Sequence, residues 1–441
     1  MRKEIKMDQA IQLRRRMSRT NEKPLAIAVM GFQAACMLLL AFKDPSVDWF
    51  SVRMAVLLPL GTLTGLWLTS KCCADRCMFL LTAFLCSLSV ILLRAVFSTT
   101  GKAAQQAKYL GLSIPVMFFG VLLPRFFTGR EEKFIGFAML FGVCFMLSPF
   151  AFHTSSAARS WIRVLGHQMQ PSELMKPATV FILASCFTQG RRASDWGGGV
   201  FFGALNCLIL FAQKDLGAML LYFLLTAAMF AAGTGRWKLA LGAVGAAAGL
   251  AVIFVVFVAG KIDGFGYLIT RIEIWKNPWS GAHESSRQIV QGLMSIVSGG
   301  LFGAGLGLSS ARKVAVVASD YIFAAVSEEF GIVFALRVLA VYMVLLIRGM
   351  GAAGSARNRF HALVAFGACF ELTAQMLLIV CGNLHIIPLT GVTLPFVSEG
   401  GSSLMGSMLL MGMMMGVSAV NARDEYDDLM QASGGREVDP E

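Results

Sequence analysis

Long apolar runs are the feature of this sequence that most limits how it can fold. Of 441 residues, 56% are hydrophobic and only 15% are charged, whereas soluble domains are about half apolar and a quarter charged. A helix needs about 20 apolar residues to cross a bilayer. We therefore predict an all-α, polytopic membrane helix bundle of about 10–12 transmembrane helices with one large extracellular loop. Twelve candidate spans lie at roughly 26–42, 53–70, 77–97, 109–126, 133–151, 171–189, 198–213, 216–233, 238–259, 320–347, 360–381 and 399–420.

The chain has a net charge of +12 at neutral pH, and its basic residues are placed according to the predicted membrane topology. Basic residues crowd the N-terminal segment 1–25 and every second loop, and the positive-inside rule places such segments in the cytoplasm. Both termini, including the acidic tail 422–441, are therefore expected in the cytoplasm, and we expect the tail to be disordered. This distribution accounts for the charge without a nucleic-acid partner.

The one long loop, 260–319, is expected on the extracellular side. It carries aromatic residues typical of a membrane interface, a glycine-rich run "SGGLFGAGLGLSS" and several basic side chains. The glycine run either packs tightly or offers free N–H groups to a phosphate. Four of the basic residues are candidates for binding an anionic substrate: Arg271, Lys276, Arg287 and Lys313.

Ionisable residues inside predicted spans are informative, because a charge in hydrocarbon needs a partner or a wet cavity. Glu173 and Lys176 share a face of the sixth span. They form either a local ion pair or one wall of a polar cavity. Asp215 lies beside Lys214 in a tight turn between two spans, where a charged hairpin is the simplest interpretation.

Three carboxylates open the predicted tenth span, in "SDYIFAAVSEEFG". Asp320 would lie at the outer interface, where it either caps the helix or contacts substrate from the aqueous side. Glu328 and Glu329 would lie inside the bundle, and Lys176 and the basic loop residues are candidate partners.

The segment "HIIPLTGVTLPFVSEGGSS", 385–403, combines prolines and glycines close to membrane depth. Irregular backbone is tolerated there only when it is buried in protein or lines a cavity. We therefore predict that this segment forms part of a site wall, with hydroxyl groups from Ser398 and Ser402.

Taken together and in order, these motifs resemble the SEDS family (shape, elongation, division and sporulation; the RodA, FtsW and SpoVE group) over about 158–421. The motifs are "QPSELMK", "QKDLG", the glycine-rich loop, "SDYIFAAVSEEFG" and "HIIPLTGVTLPFVSEGGSS". The resemblance divides the chain into five N-terminal helices, 26–151, and a core, 152–421. It implies a peptidoglycan glycosyltransferase of the bacterial cytoplasmic membrane that polymerises lipid II beside a class B penicillin-binding protein. The family's essential aspartate matches Asp320.

The chain departs from the family pattern at four places. Lys214 replaces a proline, "VAVVAS" precedes Asp320 where other residues are usual, and Glu399 replaces a tyrosine. About two additional spans precede the matching region. These departures affect the details of the substrate loop and the branch of the family, not the fold.

The chemistry of the implied reaction sets two tasks. A base must take a proton from a sugar hydroxyl, which suits Asp320, and positive charge must stabilise the departing pyrophosphate, which suits the loop cations or Lys176. A divalent metal could share the second task, although no ligand cluster indicates one and no cofactor is certain. Glu173, Asp215, Glu328 and Glu329 would support the cavity. The alternatives are a flippase for lipid-linked precursors, a non-catalytic scaffold for the transpeptidase, and an ion-coupled transporter.

Overall fold

The protein is a helical bundle, and the computed structural model describes residues 22–43, 45–97, 99–129, 131–152, 160–164, 166–188, 193–258, 261, 266–280 and 284–433. The N-terminal segment predicted at 1–25 lies almost wholly outside these residues. Within them, ten helices are long and apolar enough to cross a membrane. This confirms the prediction of a polytopic membrane protein with ten to twelve spans.

Among the described residues, nine α-helices and a short hairpin precede the long loop. The helices are α1 (Lys23–Ala41), α2 (Trp49–Lys71), α3 (Arg76–Val96), α4 (Gly101–Phe127), α5 (Glu131–Phe152), α6 (Pro171–Thr188), α7 (Ala193–Ala212), α8 (Leu216–Thr234) and α9 (Trp237–Ile253). The hairpin pairs β1 (Ile162–Val164) with β2 (His167–Met169) in antiparallel register, Ile162 opposite Met169. It was not predicted from the sequence.

The part of the loop that the structure describes, together with the region that follows it, contains six α-helices. They are α10 (Gly266–Lys276), α11 (Glu284–Ser298), α12 (Ile322–Phe330), α13 (Ile332–Gly354), α14 (Arg359–Asn383) and α15 (Gly401–Ser433). The acidic tail, for which disorder was expected, therefore begins as the last turns of α15.

The predicted tenth span, 320–347, is wrong as a continuous helix. It is divided at Gly331, whose φ of +85° favours glycine. A side chain there would collide with the backbone of Leu301, so the break also lets the glycine-rich loop lie against the chain. The short α12 and the long α13 result.

Helix starts follow from local sequence. Asp48, Asp75, Asp215 and Asn358 each accept a hydrogen bond from a backbone N–H in the first turn of α2, α3, α8 and α14 respectively. Such caps satisfy N–H groups that have no partner within the helix. The sequence thus fixes where these helices begin.

The centre of the bundle consists of α3, α6, α14 and α15, which are mostly buried, whereas α9 is almost wholly exposed at the periphery. Its exposed residues are mostly apolar, for example Leu239, Leu241 and Leu250, as expected where lipid is the solvent. The helices α4 and α15 approach closely through Gly120 and Gly412, whose missing side chains leave room for the neighbouring backbone.

Contacts separate the connecting segments into two ends of the bundle. At one end, Lys43 contacts Gly307, and Lys102 pairs with Glu399. At the other end, Arg348 pairs with Asp75, and Arg357 with Asp428. The long loop and the segment 385–400 share the first end, which we call the loop end.

Candidate active site

Asp320 sits in a tight turn just before α12. The carbonyl of Val316 accepts hydrogen bonds from the backbone N–H groups of Ser319 (3.1 Å) and Asp320 (3.0 Å). Val316 has a φ of +50°, a conformation that is rare for a β-branched residue and is typical of functional sites. The Asp320 side chain does not cap α12, whose N-cap residue is Tyr321. The capping interpretation is therefore wrong.

The Asp320 side chain lines a cavity of about 360 Å³ at the loop end. One wall is α10 and another is the segment after α14. The two walls are joined by a reciprocal pair: the Trp275 indole donates to the His385 carbonyl (3.1 Å), and the His385 Nε2 lies 2.9 Å from the Trp275 carbonyl oxygen. Two walls of the cavity are thus held together by side chain-to-backbone contacts between segments about 110 residues apart.

Arg271 is the one predicted substrate-binding cation that lines this cavity. Its guanidinium donates to the Leu389 carbonyl (3.2 Å) and lies 5.3 Å from the centre of the Tyr267 ring. These two contacts orient an otherwise exposed side chain. An anion in the cavity would therefore meet a pre-positioned guanidinium, which is suited to phosphate.

Burial raises the pKa of the Asp320 carboxyl above its ordinary value, while the Ser319 hydroxyl and the Arg271 guanidinium oppose that rise. The net effect is a pKa of Asp320 above its ordinary value. A raised pKa makes a carboxylate a better proton acceptor than a solvent-exposed aspartate.

The backbone around Asp320 is held by the last residue of α14 and by the segment 385–403. Asn383 donates to the Asp320 carbonyl (2.6 Å), the Ser398 hydroxyl donates to the Ser319 carbonyl (2.6 Å), and the Glu399 N–H donates to the Ala318 carbonyl (2.8 Å). Three consecutive carbonyls are therefore fixed. Ser398 thus holds the turn instead of lining the cavity.

Glu328 and Glu329 hold the glycine-rich run. Glu328 accepts hydrogen bonds from the side chains of Ser295 and Ser310 and from the Ser310 N–H (2.7 Å). Glu329 accepts from the Ser309 hydroxyl and the Gly307 N–H. The expectation that Lys176 pairs with these acids is wrong, because serine hydroxyls and loop N–H groups serve that role.

The glycine run is tightly packed. Gly299 and Gly303 lie against the backbone of α12, where a side chain would collide with Ser327 and Glu329. The N–H groups of Ala304 and Gly305 donate to the carbonyls of Glu328 and Glu329. The run therefore serves as a packed anchor and not as a phosphate cradle.

Lys176 belongs to a separate buried network below the site. Its ammonium donates to Glu173 (2.7 Å) and to Gln375 (2.8 Å), and lies 3.6 Å from Glu371. All four side chains are almost fully buried. Lys176 and Glu173 therefore form the predicted ion pair, extended by α14, and do not line the cavity.

Two further predicted residues hold the loop end together. Asp215 caps α8 through Ala218 (3.1 Å) and accepts a hydrogen bond from the Gln170 side chain (2.6 Å). The Ser402 hydroxyl accepts from the Gln170 N–H (3.4 Å). Gln170 thus connects the start of α6 to α8 and α15.

The remaining predicted cations lie elsewhere on the loop. Lys276, Arg287 and Lys313 are exposed and are not among the residues that line the cavity. Conversely, Gln288, Tyr321 and His385 line it but were not proposed as site residues. The adjacency of Tyr321 to Asp320 and the position of His385 at the start of its motif were the available signals.

A metal site made by protein side chains alone is not found among the described residues, which contain no suitable group of three His, Cys, Asp or Glu side chains. Of the described residues that line the cavity, Asp320 alone carries a carboxylate. The prediction of a divalent metal stays open, because Mg²⁺ is often held by one or two carboxylates together with substrate phosphates.

The fold and site define a class: a multi-pass membrane protein in which a carboxylate and a guanidinium face a cavity beneath a long loop. A family model described as "Cell cycle protein", the FtsW/RodA/SpoVE family, matches residues 69–423. The chain belongs to this family.

Relatives with curated names agree with this assignment. The chain is 32% identical to stage V sporulation protein E of Bacillus subtilis over 328 residues, which are 72% of this chain and 86% of the relative. It is 28% identical to a probable peptidoglycan glycosyltransferase FtsW of Caulobacter vibrioides over 371 residues, 80% and 90% of the two chains. A third relative is the peptidoglycan glycosyltransferase RodA of Mycobacterium tuberculosis, 29% identical over 289 residues. That match spans 62% of this chain and 60% of the RodA protein.

Solved structures share the fold. A chain from a study titled "Structural coordination of polymerization and crosslinking by a peptidoglycan synthase complex" superposes with a TM-score of 0.64 at 22% identity, covering 80% of this chain and 99% of that one. The rod shape determining protein RodA of Thermus thermophilus gives a TM-score of 0.58, also at 22% identity, covering 80% and 98%. At this identity the likeness concerns the fold.

Proposed function

We propose that this protein is a peptidoglycan glycosyltransferase that polymerises lipid II at the outer face of the bacterial cytoplasmic membrane. The observation that carries the proposal is the cavity in which Asp320 and Arg271 face the same space. The names of the RodA and FtsW relatives support the reaction class. The site lies at one end of a membrane bundle, a location that suits a substrate whose lipid tail stays in the bilayer.

Asp320 is the proposed general base. A sugar hydroxyl oxygen forms a bond to the anomeric carbon of a second substrate as the bond from that carbon to the lipid pyrophosphate breaks. The hydroxyl proton passes to the Asp320 carboxylate. Its raised pKa suits this transfer, because general bases work best when their pKa is close to the operating pH.

Arg271 is the proposed partner of the leaving pyrophosphate. Its guanidinium is held by Leu389 and Tyr267, so little reorganisation is needed when negative charge develops. We extend the proposal to a divalent cation that arrives with the pyrophosphate and would supply further positive charge next to Asp320. Chelation with EDTA should then slow polymerisation, and added Mg²⁺ should restore it. An unchanged rate in EDTA would remove the cation from the account.

The orientation and the partner also belong to the proposal. The basic loops favour a cytoplasmic location for both termini, which puts the loop end outside the cell. A class B penicillin-binding protein is the proposed partner, supported by the structural neighbour that comes from a peptidoglycan synthase complex. Co-purification of the two proteins from detergent-solubilised membranes tests this, and separate elution would contradict it.

Polymerisation of purified lipid II by the purified full-length chain in detergent tests the activity. We expect glycan strands longer than one disaccharide, and more of them when the cognate penicillin-binding protein is added. Since no membrane separates two compartments in detergent, a flippase would yield no polymer. Unreacted lipid II in both reactions would therefore overturn the proposed activity.

A further inference from the structure

The helix pair α1–α2 lies almost wholly before residue 69, where the match to the family model begins. It nevertheless packs against the family core at the loop end. Besides its packing against α3, it reaches the glycine-rich run, the apolar cluster that contains Ala318, and the residues around Gly331. Nothing in the site described above explains why an additional helix pair should contact these stretches.

The first contact is between Lys43 and the glycine run. The Lys43 ammonium, just after α1, donates to the Gly307 carbonyl, while the Gly307 N–H donates to Glu329. Gly307 has a φ of +77°. A side chain at this glycine would meet the side chains of Lys43 and Leu40 at 3.2–3.3 Å. Both backbone polar groups of Gly307 are therefore hydrogen-bonded, the N–H to Glu329 of α12 and the carbonyl to Lys43 of the added helix pair.

The second contact is between Phe50 and the apolar cluster that contains Ala318. Phe50 lies in the first turn of α2 and packs against the cluster of Leu93, Ala103 and Ala318, which includes a residue two positions before Asp320. Its placement is fixed by Asp48, which accepts a hydrogen bond from the Phe50 N–H (3.1 Å) and pairs with Arg94 at 2.6 Å. This ion pair links the start of α2 to the end of α3.

A third contact supports the same stretch from α1. The Phe32 ring stacks on Phe334 with centroids 5.8 Å apart, and lies 6.2 Å from Phe330. These two rings flank the break at Gly331 that lets the glycine run approach α12. Leu306 packs in the same apolar cluster as Met37 and Leu40. The helix pair therefore touches the stretch 306–334 before, within and after α12.

We propose that α1–α2 is an intramolecular brace that holds the Asp320 turn and the glycine run in their working geometry, with Lys43 and Phe50 as positioning residues. Asp320 lies outside any helix, because α12 begins only at Ile322. Contacts from neighbouring segments must therefore hold the turn in place. The segment 385–403 holds one side, and the brace holds the other.

Hydrogen exchange of the full-length protein in detergent tests the brace directly. In Lys43→Ala and in Phe50→Ala, we expect amides in 303–320 to exchange about threefold faster or more, since the lost contacts each oppose local opening. Lys43→Arg retains the donor and should restore protection. Arg53→Ala, an exposed residue one turn along α2 from Phe50, is the matched control and should exchange like the wild type. Wild-type exchange at 303–320 in both alanine variants would overturn the brace.

The positioning role rests on the proposed function and needs a kinetic readout. With lipid II as substrate, Lys43→Ala and Phe50→Ala should lower kcat roughly tenfold with little change in KM, because small displacements of a reacting group reduce turnover steeply. Wild-type kcat in variants with faster exchange would overturn the positioning role. If the wild-type chain makes no polymer, the proposed function fails, and the exchange data alone decide the brace.

Discussion

Burial raises the pKa of the Asp320 carboxyl, and the Ser319 hydroxyl and the Arg271 guanidinium oppose that rise; burial is the largest of the three influences. Since only the ionised form accepts a proton, activity should fall as pH drops through a pKa above the ordinary aspartate value. Arg271→Met removes the opposing charge, so the acid limb of the pH–rate profile should move to higher pH.

The pH–rate profile of polymerisation checks this shift, with Arg312→Met as control. Arg312 is exposed on the same long loop and does not line the cavity, so its loss should leave the limb in place. An acid limb that stays fixed in Arg271→Met would show that this guanidinium does not act on the base.

Lys176 is the residue on which the buried network depends. Replacing it with methionine leaves the carboxylates of Glu173 and Glu371 buried without a countercharge, which typically costs about 3–5 kcal/mol. Glu371→Gln should cost much less, because both Glu371 oxygens lack a hydrogen-bond partner in the structure and Lys176 retains Glu173. Thermal melting in detergent measures both variants. Equal losses would mean that Lys176 is not the centre of this network.

At the scale of single residues, the sequence predicted which side chains belong to the site better than it predicted their hydrogen-bond partners. Asp320 was a candidate from residue type and position, and the family resemblance favoured it as the base. Arg271 was one of five candidate cations that the sequence did not rank, and both residues line the cavity. The partners of Glu328 could not be predicted, since Ser295 and Ser310 approach it only after the loop folds back. His385 was missed as a cavity residue because its contact with Trp275 spans 110 positions.

Among the elements, the close packing of α4 against α15 gives a clear prediction. A side chain at Gly412 would lie 2.0 Å from the Met117 carbonyl oxygen, so Gly412→Ala should push the helices apart and destabilise the protein by about 1–3 kcal/mol. Gly111→Ala on α4, where nothing lies within 4 Å of the added carbon, is the control. Thermal melting of the two purified variants compares them, and equal melting temperatures would show that this contact is not tight.

The sequence predicted most of the long helices, because a long apolar segment is a local signal. It did not predict where a helix is interrupted. The break at Gly331 depends on the glycine run packing across it, which no local pattern encodes, although a glycine within an apolar run was visible. The helices α10 and α11 inside the long loop were missed for a related reason: they are too short to produce a membrane-span signal.

At the scale of the whole molecule, the prediction concerns which end of the bundle faces the outside of the cell. The length of the apolar segments does not determine this orientation. With the native cysteines replaced, Ala315→Cys at the loop end should react with a membrane-impermeant thiol reagent in spheroplasts, and Ser355→Cys at the other end should react only after lysis. Both positions are exposed. The reverse pattern would place Asp320 in the cytoplasm and exclude it from lipid II polymerisation outside the cell.

Polymer yield from Asp320→Asn tests the central claim most directly. Asparagine retains the shape but cannot take a proton, so lipid II polymerisation in detergent should fall about a hundredfold or more, while melting temperature and elution stay close to the wild type. Glu273→Gln, an exposed carboxylate on α10 that does not line the cavity, should polymerise normally. Wild-type polymer yield from Asp320→Asn would contradict the account.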